Sequence, residues 1–119
     1  MPRVKRLAAP LLSESWRTIP HVTHHDEADV TELENFRKNL KDGYTGEQKK
    51  ITPLAFIIKA LVKSMMKYPI FNSSIKDEEN YQIILKKYFH IGIAVDTPHG
   101  LMVPKIRDAD KFKISDLSQ

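Results

Sequence analysis

Apolar residues recur at helical spacing in three stretches of the first 67 positions, and alternate as in a strand only after residue 70. Leu7, Leu11, Leu12 and Trp16 would form the inward face of a short opening helix over 7–16. Pro10 sits awkwardly in that frame, so a helix starting near Pro10 or an irregular arm fits equally well. Pro20 to Asp29 reads as extended, and its composition is polar for a buried strand. Val30, Leu33, Phe36 and Leu40 then mark a second helix. Its start matches a capping box, with Thr31 and Glu34 as one frame and Asp29 and Glu32 as the other. Gly43 is the expected C-cap stop, and 43–50 is a polar loop.

The third helix is the plainest. Thr52 is placed to cap it and Pro53 to take its first position. From Leu54 to Met66 nearly every residue is apolar. Lys59, Lys63 and Lys67 recur every fourth residue and predict one narrow line facing solvent, with protein covering the rest and Pro69 ending the element. This would be a core helix lying across a sheet. Beyond it, Phe71–Ile75 and Tyr81–Lys87 predict a hairpin around the polar turn 76–80. Phe89, Ile91, Ile93 and Val95 alternate with Tyr88, His90, Gly92, Ala94 and Asp96, giving a strand with one apolar face. Thr97-Pro98-His99-Gly100 is a tight turn in which Gly100 supplies a positive φ. Leu101–Ile106 returns as a strand that Pro104 confines to an edge or a bulge. Helices with hairpin-linked strands define an α/β (α+β) class.

The last residues, Lys113 to Gln119, open a helix with Ser115 as N-cap and Asp116 at the positive end of the dipole. One turn without a second is unstable in water. The expectation is that the chain is the front part of a larger fold and therefore incomplete.

Composition narrows the function classes. No apolar run reaches membrane-spanning length, and the basic start Met1 to Arg6 lacks the apolar stretch of a secretory signal. Cysteine is absent, which excludes thiolate catalysis and cysteine metal sites within these residues. A net charge of +4 would attract an anion, but the lysines are interspersed with acidic residues and no aromatic-basic platform appears. Neither nucleic acid nor a membrane is the expected partner.

Candidate chemistry is sparse. His21, His24, His25 and Asp26 crowd together, yet on an extended segment they divide between two faces, short of the three or four ligands zinc takes. No metal is expected. His99 suits a turn and His90 a packed strand. Neither a G-x-S-x-G elbow, nor a P-loop, nor a G-x-G-x-x-G loop occurs. These residues alone offer no complete catalytic set.

A resemblance supplies what the chemistry lacks. Trp16-Arg17-Thr18-Ile19-Pro20-His21-Val22-Thr23-His24, Ala28–Leu33, Ile51–Leu54, Phe71-Asn72-Ser73-Ser74, Ile91–Pro98 and Gly100–Pro104 follow, in order, the pattern of the dihydrolipoamide acyltransferases, the core components of the 2-oxoacid dehydrogenase complexes. The run Ile19–Thr23 is most similar to the acetyl-transferring type of the pyruvate dehydrogenase complex. The resemblance spans residues 1–119 as the N-terminal half of the catalytic domain, with no lipoyl domain and no peripheral-subunit-binding domain. It implies a chloramphenicol-acetyltransferase-like mixed sheet flanked by helices, and a homo-oligomer built on trimers with the other complex subunits as partners. The implied location is the cytoplasm, or the mitochondrial matrix in a eukaryote. The implied reaction carries an acetyl group between dihydrolipoamide and coenzyme A, with both as substrates and no metal.

In the family a histidine of an H-x-x-x-D-G motif is the general base and a late hydroxyl stabilises the oxyanion. Neither motif occurs in these residues, so no catalytic residue is assigned and this stretch alone is expected to be inactive. Channel lining is what the resemblance carries over. Pro20, His21 and Val22 fall on the acyl-carrier side. Asp96, Thr97, Pro98, Gly100 and Leu101 fall on the coenzyme A side, with Asn72 and Ser73 on a strand close to that loop. His99 stands where asparagine is common. The competing reading is a non-catalytic truncated paralogue acting as an assembly or interaction protein, since an open fold exposes strand edges and an apolar helix face.

Overall fold

The computed structural model describes residues 3–118 apart from 42, 44 and 78. The chain divides into two compact units, one of residues 1–28 with 92–104 and the other of residues 29–91 with 105–119. Each is described by itself.

In the first unit, α1 runs Arg3–Thr18, straight through Pro10. A mid-helix proline removes one backbone hydrogen bond. Local ties hold the later turns: Thr18 Oγ1 donates to Glu14 O at 2.9 Å and Arg17 pairs with Glu14 at 2.6 Å. The apolar positions expected to face inward do not. Leu7, Leu11, Leu12 and Trp16 are 63–73% exposed, and α1 buries no residue. Residues 20–28 have no regular structure, and no strand forms over the segment expected to be extended. The alternating stretch after residue 90 breaks into β3 (Ile91–Gly92) and β4 (Val95–Thr97). Its return strand breaks at Val103 and Pro104 into β5 (Gly100–Met102) and β6 (Lys105–Ile106). β4 and β5 form an antiparallel hairpin with Thr97 opposite Gly100. Ile93 N donates to Pro104 O at 3.1 Å, so the proline contributes its acceptor where it has no donor to give.

The second unit holds every buried apolar residue found among the described positions: Ile51, Ala55, Ile58, Val62, Ile91 and Ala109. Helix α2 (Thr31–Asn39) starts in neither expected capping-box frame, because Val30 holds the N-cap position. Asp29 Oδ1 accepts from the Thr31 amide at 2.9 Å and the Thr31 hydroxyl at 2.6 Å, while Val30 at the N-cap makes no side-chain cap. It ends at Leu40, three residues before Gly43, and Gly43 sits in a turn instead. Arg37 stabilises this end. It grips Glu34 through two nitrogens and donates to Ile51 O at 2.9 Å.

Helix α3 (Pro53–Lys67) begins with Thr52 at the N-cap position and Pro53 in the first turn, as the sequence predicts, although the Thr52 side chain makes no cap hydrogen bond. Its stripe Ala55, Ile58 and Val62 is buried, but Leu54, Ile57 and Leu61 remain exposed. The lysine line is not uniform either. Each four-residue step turns about 40° round a helix, so Lys59 lies beside the buried stripe while Lys63 and Lys67 rotate away from it. Lys59 is half-buried and fully engaged. After Pro69 a 3₁₀ turn (Pro69–Asn72) replaces the expected start of the strand at Phe71. β1 (Ser73–Asp77) and β2 (Gln82–Leu85) then form the antiparallel hairpin, with an irregularity between Ile75 and Asp77. Tyr81, entering β2, holds φ +53, a left-handed angle uncommon for an aromatic residue. β3 pairs with β6, so the strands fall into three two-stranded ladders.

The C-terminal segment is a 3₁₀ turn (Asp116–Ser118) directly after Ser115, whose carbonyl accepts the Ser118 amide at 3.3 Å. The Ser115 hydroxyl donates to Asp116 Oδ1, and Asp116 Oδ2 accepts the Lys113 amide at 3.0 Å. The Thr52 amide, at the mouth of α3, donates to Ser118 Oγ at 3.2 Å.

Candidate functional site

Of the residues carried over from the family resemblance, five occupy one hairpin. Asp96 and Thr97 close β4, Pro98 and His99 make the turn, and Gly100 and Leu101 open β5. The turn is tied by one side chain. Thr97 Oγ1 donates to Gly100 O at 2.7 Å and accepts the His99 amide at 3.2 Å. Gly100 has φ +117, outside the range that L side chains adopt without strain. A Cβ there would meet Val4 at 3.6 Å, so space is adequate and backbone conformation alone demands glycine. The Thr97 hydroxyl is therefore committed to shaping the loop. Asp96, Pro98 and Leu101 are exposed around it. Below the turn, Val95, Thr97, Met102, Val103 and Pro104 line an apolar hollow of about 320 Å³.

Pro20, His21 and Val22 lie in the irregular segment after α1. His21 stacks on Trp16 with ring centroids 4.7 Å apart, tilted by 33°. Leu12, Ser13, Ser15, Trp16, Arg17 and His21 surround a hollow of about 530 Å³. Val22 is 93% exposed. The segment is thus fixed by one aromatic contact and otherwise open to solvent.

Asn72 and Ser73 belong to the second unit. Both use their polar groups locally. Asn72 Nδ2 donates to Lys86 O at 3.1 Å and Tyr88 O at 3.0 Å, and Ser73 Oγ donates to Ile70 O at 2.6 Å. They lock the 3₁₀ turn onto the exit of β2.

The histidines divide similarly. His90 is not packed in mid-strand. It precedes β3, stacks on Tyr88 at 4.7 Å, and accepts the Asp108 amide on Nδ1 at 3.0 Å, which leaves the proton of the neutral ring on Nε2. His99 sits in the turn predicted for it. Among the described residues no three of His, Asp or Glu gather as metal ligands. Sequence reasoning missed Lys59, whose ammonium binds three carbonyls of the 109–112 turn. Its position four residues after buried Ala55 was the available signal.

The match to known proteins runs the full length of the chain. The family described as 2-oxoacid dehydrogenases acyltransferase (catalytic domain) matches residues 1–119, and the chain belongs to it. Its relatives include the dihydrolipoyllysine-residue acetyltransferase component of the pyruvate dehydrogenase complex from Cupriavidus necator, 50% identical over 117 residues. The counterpart from Haemophilus influenzae is 48% identical over 120. Each alignment covers 98% of this chain and 21% of the relative, so the chain spans about a fifth of their length. Among solved structures it is similar to Azotobacter vinelandii dihydrolipoamide acetyltransferase, investigated for a serine, a histidine and an asparagine in catalysis. The TM-score is 0.88 at 42% identity, over 99% of this chain and 48% of that one. The cubic core of a pyruvate dehydrogenase multienzyme complex matches at TM-score 0.87 with the same identity and coverage. The helices and small ladders described above are thus the arrangement of the acyltransferase catalytic domain over about half of its length.

Proposed function

We propose that this chain is a segment of a dihydrolipoyllysine-residue acetyltransferase, which passes an acetyl group between dihydrolipoamide and coenzyme A within a pyruvate dehydrogenase complex. The observation that carries the reading is the family match over residues 1–119, with half the positions identical to an acetyltransferase of that complex. The fold is a chloramphenicol-acetyltransferase-like mixed sheet that the residues here complete only together with others. The assembly is a trimer-based homo-oligomer, in keeping with the cubic core matched above.

The role of this segment is to shape the substrate channel. The turn Asp96–Leu101 and, separately, Asn72 and Ser73 are assigned to coenzyme A by the family resemblance. Pro20, His21 and Val22 form the side entered by the lipoyl arm. In the reaction the attacking thiol must lose its proton to a base, and the tetrahedral oxyanion needs a hydrogen-bond donor. Both groups come from segments other than these 119 residues, in which no H-x-x-x-D-G occurs. Coenzyme A supplies the thiol and no metal is required.

Acetyl transfer from acetyl-CoA to dihydrolipoamide tests the reading. The 119-residue chain alone is expected to show no turnover above buffer. The same chain fused to the remaining half of the Azotobacter catalytic domain is expected to turn over. Turnover by the chain alone would overturn the assignment of the base elsewhere. A folded, trimeric fusion without activity would overturn the function.

A further inference from the structure

Lys59 Nζ lies 2.7 Å from Phe112 O, 3.0 Å from Asp110 O and 3.4 Å from Ala109 O. An ammonium carries three N–H donors and no acceptor, so three carbonyls satisfy it completely. All three belong to one short turn, and other groups hold that turn. The Ala109 amide donates to Phe89 O at 2.8 Å, and the Asp108 amide to His90 Nδ1 at 3.0 Å. Ala109 is completely buried. Asp108 holds φ +50, a left-handed angle that a non-glycine residue keeps only when its surroundings fix it. The entry to the turn, through the amides of residues 108 and 109, is thereby bonded to residues 90 and 89, while the carbonyls of 109, 110 and 112 converge on the middle of α3. Three carbonyl dipoles directed at one point repel one another unless a cation lies between them.

We propose that the 109–112 turn is an internal binding site for a primary ammonium, filled from within by Lys59, and that this site shields Lys59 from the N-acylation open to the exposed lysines of the same helix. The donor class is an acyl thioester. The unprotonated nitrogen attacks the thioester carbonyl, the new N–C bond forms as the C–S bond breaks, and the thiol leaves with the proton lost from nitrogen. The product amide is neutral and has one N–H in place of three. While the amine sits in the site as an ammonium it has no lone pair to attack with, so the folded turn protects it. Lys63 and Lys67, one and two turns further along the helix, are exposed and have no such shield. The choice of a thioester rests on the proposed acetyltransferase reading; the cation site does not.

The test uses the full 119-residue chain. Lys59→Ala is expected to lower the thermal midpoint by several degrees. Methylammonium chloride should recover most of that loss, and sodium chloride at equal ionic strength should not. Lys63→Ala should respond to neither. Equal recovery by both salts, or a Lys59→Ala midpoint no lower than that of Lys63→Ala, overturns the site. Should Lys59→Ala fail to fold, nitrogen-edited NMR of the unaltered chain decides the matter. Lys59 ammonium protons exchanging more slowly than those of Lys63 support the site, and equal exchange overturns it. Treatment with acetyl-CoA, followed by peptide mass spectrometry, tests the acylation step. Lys63 and Lys67 should be acetylated before Lys59 in buffer, and all three at similar rates in urea; equal rates in buffer overturn the protection. None of these readouts needs enzymatic turnover, so their failure leaves the acetyltransferase reading standing.

Discussion

Helices α1 and α3 are nearly equal in length, 16 and 15 residues, and each carries a periodic apolar face, yet they end in opposite circumstances. α3 buries Ala55, Ile58 and Val62, and its flank is pinned by a lysine that binds three carbonyls. α1 buries nothing, and Leu11 and Trp16 are 71% and 73% exposed. Periodicity states which side of a helix is apolar. It does not state which part of a fold covers that side. For α3 part of the cover lies within reach in the same chain, from residue 109 onwards. For α1 it does not, which fits a segment spanning about half of the catalytic domain it matches.

Core truncation should expose this difference most strongly. Ile58, 2% exposed, is the largest fully buried side chain among the described residues. Ile58→Ala should cost about 2–5 kcal/mol, since it loses both the transfer term and the contacts around the cavity. Leu11→Ala removes a similar volume from an exposed site and should stay within about 0.5 kcal/mol. Urea midpoints of the two variants measure both. A Leu11→Ala cost matching that of Ile58→Ala would break the comparison, because α1 would then be covered in solution by self-association.

The next effect contrasts the polar ties of the two units. Asn72 donates to Lys86 O and Tyr88 O, binding the 3₁₀ turn to the hairpin exit. Asn72→Ala leaves both carbonyls short of a donor and should cost about 1–3 kcal/mol. Hydrogen exchange should then quicken in β1 and β2 before it quickens in α3. Gly100→Ala acts in the other unit by conformation alone, since the added Cβ meets Val4 only at ordinary contact distance. Forcing alanine to φ +117 should cost about 1 kcal/mol, read from the thermal midpoint. In the active fusion the same change should raise the KM for coenzyme A more than it lowers kcat, because the turn is proposed to hold that substrate.

Much of this was legible in the sequence. Thr52-Pro53 announced α3 because the signal is local: a cap, a proline without an N–H, then an apolar run. The Thr97–Gly100 turn was legible for the same reason, as one glycine and one proline fix its backbone. What escaped depends on partners distant in sequence. Lys59 reads as solvent-facing until the turn fifty residues later folds beneath it. The Gly43 stop fails because α2 ends earlier, where Arg37 reaches across to Ile51 O. The long strand expected over 89–95 breaks because its partner strand breaks at Pro104, a tertiary constraint that alternation alone does not reveal. The candidate site was legible only through its resemblance to a family, since Thr97, Asn72 and Ser73 all have backbone roles that would select the same residue types.

The smallest effect expected is electrostatic, and it appears in acid. Asp77 is held below its ordinary value of 3.8 by hydrogen bonds from the Asn80 side chain and amide and then from the Glu79 amide. Asp29 is lowered by the hydroxyl and amide of Thr31. In each case the folded carboxyl gives up its charge at a lower pH than the unfolded one. Each therefore contributes stability that is present above about pH 3.8 and is lost as pH falls through the folded value. The thermal midpoint should decline as pH falls from 5 to 3, and Asp77→Asn and Asp29→Asn should each flatten that decline while lowering the midpoint at pH 5. Asp29 is exposed and Asp77 half-buried, and both belong to the second unit, so a matching decline confined to melting of α1 would show that the better-packed unit is not where acid first acts.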